Sequence, residues 1–319
     1  MKKNSLPVLV QMDPIQKVQI NTDSTILIVK EGLRRGHNLY YCDPSDIVIS
    51  SLKKKVRCKK FEIKDGEKIS LNNKVYEYDY SKFKVVFLRQ DPPVDMDFIT
   101  NLQLNIAQEI NDKKRRVIFI NNPYGILKFS EKLYALDFPG ITPQTSIFNN
   151  LEDIDNFLNK NGEAVIKPLY DKGGSGVSLI KELNSKSINI IKNLTDNYTR
   201  KVVVQKFIKK VSLGDKRVLL INGEPVGAVN RVPSSNNFKA NLHLGAEPKK
   251  TQLTKTELNI CKIIKPSLLK NGLFFVGIDI INNKLTEINV TSPTGIKQIN
   301  ELDNISVQKI LWGKIEQLI

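Results

Sequence analysis

The sequence predicts an α/β (α+β) protein with two domains, an open α/β sheet followed by a region of antiparallel hairpins. Three observations predict it. The 319 residues correspond to about two domains at ~150 residues each, enough chain to bury a sizeable core. The opening segment alternates strand, helix and strand. Beyond Pro123 the pattern changes to short strands joined by Gly- and Asn-containing turns.

Leu6 to Gln11 is an apolar run ending in Met12-Asp13-Pro14. It reads as a first strand rather than a secretory leader, because Pro7 interrupts the run and no small-residue cleavage site follows. A helical pattern from Ser24 to Arg35 stops at Gly36, and Asn38 to Cys42 supplies a second strand before the Asp43-Pro44 turn. Residues 53 to 80 carry short alternating segments around turn signals at Lys64-Asp65-Gly66 and Asn72-Asn73, which predicts an inserted meander. Lys84 to Leu88 is a further core strand. Arg89-Gln90-Asp91-Pro92-Pro93 follows at its carboxyl end, where ligand residues sit in open α/β sheets. A helix from about Asp95 to Lys113, a strand from Val117 to Ile120 and the break Asn121-Asn122-Pro123 close the first domain.

In the second region, residues 124 to 136 read as a helix carrying Lys132, and Glu163 to Lys167 as a strand. Asp171 to Gly176 is a glycine-rich turn, with Val177 to Ile180 as the returning strand. Ser187 to Leu194 fits a helix, Val202 to Ile208 a strand, and Arg217 to Val229 a hairpin about Asn222-Gly223. Ser234 to Asn237 is a polar stretch with loop composition, and a helix from about Lys255 to Lys270 ends at Asn271-Gly272.

Composition narrows the function classes. With 40% apolar and 26% charged residues and no apolar run near the ~20 residues that span a bilayer, a membrane segment is not expected. Cys42, Cys58 and Cys261 are odd in number and widely spaced, which argues against a disulfide framework or a zinc knuckle and fits a reducing cytoplasm. His37 and His243 have no partner at ligand spacing and read as exposed polar residues. The net charge of +16 raises nucleic-acid binding as a rival, but the lysines are spread along the chain without interleaved aromatics. A positive field also attracts anionic nucleotides.

The chemistry concentrates in Val276 to Pro293. Glu287 and Asn289 are two apart on a strand, separated by Ile288, and so share a face. Asp279 lies on the preceding apolar run, and Asn282-Asn283 between the runs is a hairpin signal. A strict two-residue loop sets Asp279 opposite Thr286, on the face away from Glu287. Bringing all three oxygen donors to one magnesium site therefore requires an odd-length or bulged turn. The plain alternative is an edge hairpin with polar residues facing water.

Asp171-Lys172-Gly173-Gly174-Ser175-Gly176 has neither Walker spacing nor a helix behind it, yet its glycines allow backbone amides close to phosphate oxygens. Lys167 and Lys132 would add point charges to the same phosphates. Gln205, Lys206, Phe207 and Ile208 offer apolar surface and strand backbone to a base edge. Arg217 and Arg231 suit bidentate contact with a carboxylate or phosphate, the bland reading being solvated charge pairs.

In order and spacing these parts resemble the ATP-grasp superfamily and, within it, the prokaryotic glutathione synthetase family. The resemblance rests on Met12-Asp13-Pro14, Arg89-x-Asp91-Pro92-Pro93, Glu131-Lys132-Leu133, Lys167-Pro168-Leu169, Gly173-Gly174, Gly214 to Leu219, Asn222-Gly223-Glu224-Pro225, and Phe275 through Thr294. It covers essentially the whole chain. It implies an ATP-grasp fold preceded by an open, Rossmann-like α/β N-terminal domain. The N-terminal substrate domain would span 1–122 and the ATP-grasp domain 123–319, with a lid at about 123–205 and a catalytic part at about 206–319. The implied activity joins γ-glutamylcysteine and glycine through an acyl phosphate, with ATP as co-substrate and Mg2+, or Mn2+, as cofactor. Asp279, Glu287 and Asn289 would hold the metal. Lys132, Lys167 and the amides of Gly173, Gly174 and Ser175 would hold the phosphates, and adenine would lie against Gln205 to Ile208. Arg217 and Lys167 would be catalytic, while Asp13, Arg89, Arg217, Arg231, Ser292 and Pro293 would meet the peptide substrate. A cytoplasmic homotetramer without a nucleic-acid or membrane partner is implied.

One segment departs from the family pattern. Between Arg231 and Glu247-Pro248 the loop is shorter, with Lys239 where the family carries an arginine, which bears on loop closure more than on the reaction.

Overall fold

The computed structural model describes residues 5–49, 54–64, 68–108, 117–171, 176–234 and 238–319. Three sheets make up the molecule. In the first, β1 (Pro7–Met12) runs parallel to β2 (Asn38–Cys42) on one side and on the other to β6 (Val85–Arg89), which pairs in parallel with β7 (Ile118–Ile120). Helix α1 (Ser24–Arg34) makes the β1–β2 crossover and starts where the Asp23 carboxylate accepts from the Ile26 amide at 2.9 Å. Strands β3 (Ile47–Ile49), β4 (Lys54–Lys64) and β5 (Lys68–Asp79) extend the sheet antiparallel beyond β2, with β5 alongside β4. Asn72-Asn73 is not a turn. Pairing steps from Lys59↔Val75 to Phe61↔Leu71, so the Asn pair lies in a bulge of one long strand, where Asn72 Oδ1 accepts from the Lys74 amide. The turn expected at Lys64-Asp65-Gly66 falls partly outside the described residues.

Helix α2 is described over Met96–Ala107, and residues 109–113 of the expected helix lie outside the described residues. The helix expected over 124–136 is corrected: α3 (Pro123–Lys128) ends early, and Lys132 sits on a turn. Phe129 and Tyr134 explain the break. Five residues apart, they would point to different faces of a continuous helix, yet both are buried and stack at 3.8 Å between centroids.

The second sheet is antiparallel, in order β10 (Ser178–Ile180), β9 (Ala164–Pro168), β11 (Val202–Lys206) and β8 (Thr145–Phe148). Helices α4 (Leu151–Asn161) and α5 (Ser185–Leu194) cover it, closing a separate core that includes Ile154, Phe157, Ile166, Ile191 and Val204. The glycine turn at 172–175 lies outside the described residues.

The third sheet has the order β14 (Glu247–Lys250), β13 (Glu224–Val232), β12 (Asp215–Ile221), β15 (Phe275–Ile281) and β16 (Lys284–Asn289). Alternation along its strands sends Val218, Leu220, Val276 and Ile278 into one cluster with Ile260, Ile264 and Leu268 of α6 (Lys255–Lys270). Leu219, Ile221, Val229 and Phe275 join the opposite cluster with α7 (Ile296–Asp303) and α8 (Val307–Glu316). Full burial of each such side chain contributes roughly 1.5–3 kcal/mol. Helix α8 also docks on α1: Trp312 Nε1 donates to the Ile28 carbonyl at 2.8 Å, and a Cβ on Gly32 would lie 2.6 Å from the indole. His37 belongs to this contact. It is 5% exposed and 3.1 Å from Glu316, so it is a buried docking residue and not the exposed polar residue its isolation suggested.

Candidate active site

The site is built on the part of the third sheet not covered by α7. Register places Arg217 of β12 opposite Asp279 of β15, and Asp279 opposite Glu287 of β16. Asp215 faces Arg231 across the β12–β13 pair, and Gly277 faces Asn289. The β15–β16 loop is a two-residue turn, with Asn282 and Asn283 both in the left-handed region at φ 48° and 58°. A bulge supplies the register shift: Ile280 pairs with Leu285 and Asp279 with Glu287, leaving Thr286 as the extra residue. The Thr286 hydroxyl donates to the Asp279 carbonyl at 3.1 Å.

Charge is paired tightly along this row. Arg217 grips Asp279 bidentately at 2.6 and 3.0 Å, and Arg231 reaches both Asp279 (3.0 Å) and Asp215 (2.7 Å). Burial alone would push the Asp279 carboxyl up, but the two guanidiniums hold it well below the usual carboxylate range. Burial pushes Asp215 up to about 6 although Arg231 pulls the other way. Gly277 gives Arg217 its room, since a Cβ there would lie 3.2 Å from Arg217 Cδ and 3.0 Å from Pro293.

The facing wall comes from the second sheet and the turn after α3. Lys167 on β9 donates to Gln205 Oε1 on β11 at 2.9 Å, and Gln205 donates to Thr145 on β8 at 3.0 Å. Burial pushes the Lys167 ammonium down. Lys132 donates to the Asp171 carbonyl at 2.5 Å and lies 3.8 Å from Glu287. The amides of Lys206 and Phe207 are already given to the carbonyls of Gln144 and Glu163, both at 2.8 Å. These two amides are therefore committed to the fold, so it is not the whole strand backbone at 205–208 that is open to a base edge.

Between the walls lies a cavity of ≈ 660 Å³, within the usual size of a ligand cleft. Lys132, Lys167, Gln205, Lys206, Phe207, Ile208, Arg217, Arg231, Asp279, Glu287, Asn289 and Ser292 all line it. Asp13, Arg89 and Pro293 do not. Arg89 is 3% exposed and donates to Thr25 Oγ1 and the Pro293 carbonyl, each at 3.0 Å, so it supports the wall from behind. Asp13 accepts from the Asp91 amide at 2.9 Å, and Asp91 itself reaches the cavity. Gly173, Gly174 and Ser175 lie outside the described residues.

Several cavity residues escaped the sequence reading. Asp215 shares the face of Arg217 by strand parity, a signal that was available once β12 was placed. Glu131, which accepts from Thr291 Oγ1 at 2.6 Å, and Lys239 were noted in the sequence without a place in the site, while Phe238, Ala240 and Asn241 carry no comparable signal. As a test of metal fit, the donors are all oxygens. Glu287 and Asn289 face the cavity beside Asp279, and Asn289 makes its contacts with Gly277 and Asp279 through Nδ2, which leaves its amide oxygen for a cation. Such a set fits a hard divalent ion, with Asp279 shared between that ion and its arginines.

An antiparallel sheet facing a charged antiparallel sheet across a ligand-sized cleft is the arrangement of the ATP-grasp fold. Solved structures agree on the fold: the D-cycloserine synthetase DcsG superposes with TM-score 0.63 at 13% identity, covering 95% of this chain and 99% of that one. The ATP-grasp ligase PsnB gives 0.60 at 17%, covering 97% and 96%. Family models are more specific. The prokaryotic glutathione synthetase N-terminal domain matches residues 6–126, and the ATP-grasp domain of the same family matches 131–304. The glutathione synthetase of Brucella melitensis is 36% identical over 98% of this chain and 99% of its own length. That of Bradyrhizobium diazoefficiens is 38% identical over 98% of each, and that of Synechocystis 33% over 94% and 97%. The chain belongs to the prokaryotic glutathione synthetase family.

Proposed function

We infer that this ligase joins γ-L-glutamyl-L-cysteine to glycine at the expense of ATP, giving glutathione, ADP and phosphate. Family membership across both domains carries this reading, and the charged row facing the cavity supports it. A carboxylate is a poor electrophile. Transfer of the γ-phosphoryl group to the cysteinyl carboxylate makes an acyl phosphate, which the glycine amine attacks, expelling phosphate and giving up a proton.

In this reading Lys132, Lys167 and the amides of Gly173, Gly174 and Ser175 hold the phosphates, and adenine lies against Gln205, Lys206, Phe207 and Ile208. Arg217, anchored on Asp279, meets the developing phosphoryl charge; Arg231, Asp215 and Ser292 border the peptide end. Asp13, Arg89 and Pro293 shape that end through Asp91, Thr25 and the 293 carbonyl. A divalent cation, Mg2+ or Mn2+, held by Asp279, Glu287 and Asn289 would offset charge on the phosphoryl oxygens. Domain limits at 1–122 and 123–319 and a homotetrameric state complete the proposal. A cytoplasmic site accords with Cys42, Cys58 and Cys261, which are free and buried. Among the described residues no helix is long and apolar enough to cross a membrane.

The test is ADP release with γ-glutamylcysteine while the amine is varied among glycine, alanine, serine and glutamate. Glycine should give the highest kcat/KM. A preference for another amine would reassign the acceptor.

A further inference from the structure

Glu131 precedes Lys132 on the turn after α3, and it grips the third sheet twice. Its backbone carbonyl accepts from the Ile288 amide at 3.1 Å. Its carboxylate accepts from the Thr291 hydroxyl at 2.6 Å and from the Thr291 amide at 3.4 Å. The two holds bracket Asn289: Ile288 lies between Glu287 and Asn289, and Thr291 immediately precedes Ser292. The next residue, Lys132, reaches back across the cavity to Asp171 and Glu287. Beyond Asn289 the strand pairing has ended, so among the described residues no β-ladder fixes the segment 290–292, where Asn121 Nδ2 donates to the Val290 carbonyl at 2.7 Å.

We propose that Glu131 is a positioning residue that locks the phosphate-side lysine, Lys132, to the segment carrying Glu287, Asn289 and Ser292, so that nucleotide and metal contacts form as one unit. This rests on the ligase reading above and deepens it. The Glu131 side chain suits the role because its Oε1 accepts from both Thr291 donors, fixing the direction of the chain as well as its distance. Its effect passes through Lys132 and the 287–292 segment, since the bonds of Glu131 are to Thr291 and Ile288. Groups held in this way lose on the order of 10- to 100-fold in ligand affinity when their supporting partner is removed.

Binding of Mg2+ with a non-hydrolysable ATP analogue, followed by calorimetry, tests the idea without any amine acceptor. It stays informative even if the proposed acceptor or reaction is wrong. Glu131→Ala should weaken the analogue by about 10-fold or more and raise the Mg2+ concentration needed for half-saturation, while Glu131→Gln, which keeps one acceptor, restores most of the loss. Thr291→Val cuts the same bond from the other side and should act in the same direction, with the double variant no worse than Glu131→Ala alone. Far-ultraviolet dichroism and the thermal midpoint establish that each variant is folded. A folded Glu131→Ala or Thr291→Val protein with wild-type analogue affinity and Mg2+ dependence overturns the proposal, as does additive loss in the double variant.

Discussion

Asp279 stands directly across from Glu287, and the bulge at Thr286 puts it there. Without the extra residue the pairing would set Asp279 against Thr286 and turn Glu287 toward the apolar face that packs on α6. The Thr286 hydroxyl ties the bulge by donating to the Asp279 carbonyl. Thr286→Val keeps the volume and breaks that bond. Urea unfolding should show a loss of about 1 kcal/mol, the usual net worth of such a bond. No change in midpoint would mean that backbone pairing alone sets the bulge.

Arg217 and Asp279 form a buried bidentate pair that Arg231 completes. Arg217→Ala leaves Asp279 short of one guanidinium in a buried site and should cost about 3–5 kcal/mol. Arg217→Lys retains the charge but not the fork, so it should fold more stably than the alanine variant while kcat falls on the order of 100-fold. Equal kcat in wild type and the lysine variant would confine Arg217 to a structural part.

These pairs show what the sequence revealed and what it withheld. Strand parity was enough to align Glu287 with Asn289, and the hairpin signal at Asn282-Asn283 was met by a turn with both residues at positive φ. The bulge was legible only as a requirement, because a single inserted residue leaves no compositional trace. Lys132 was named through the resemblance at Glu131-Lys132-Leu133, but its turn was hidden: the local pattern is helical, and only the joint burial of Phe129 and Tyr134 breaks it. Arg89 looked like a substrate contact because it ends a central strand. In the fold it is buried and donates to Thr25 Oγ1 and the Pro293 carbonyl, a placement the strand end alone does not reveal.

Glu131 adds a pH signature. Burial, with the nearby Glu287 charge, pushes its carboxyl up to about 7 from an ordinary 4.5. The folded protein therefore holds that proton more tightly than the unfolded chain. The associated stability is full below about pH 4.5 and is lost as pH rises toward 7, with an upper limit near ~3 kcal/mol at 1.36 kcal/mol per pH unit. Asp215 titrates in the same direction over an overlapping range, so the comparison must be between wild type and Glu131→Gln. Urea midpoints at pH 5, 6 and 7, chosen to lie within ~4.5–7, should fall more steeply for wild type. Parallel slopes would return the Glu131 carboxyl to the ordinary range.

Phe238 meets Phe207 in the lining of the cavity, their rings edge to face at 6.1 Å and 89°. Phe207 follows the strand that carries Gln205, and Phe238 precedes Lys239, Ala240 and Asn241, which also line the cavity. In the proposed reading the contact joins the adenine wall to the loop over the reacting end. An acyl phosphate survives only where water is kept out. Phe238→Ala removes the ring without touching a charged group. ATP binding should change little, whereas ADP release should outrun peptide-bond formation as water competes with the amine. Phe238→Tyr should restore coupling, because the ring returns. If the alanine variant keeps ADP and glutathione in step, the aromatic contact has no part in excluding water and the loop is closed by other groups.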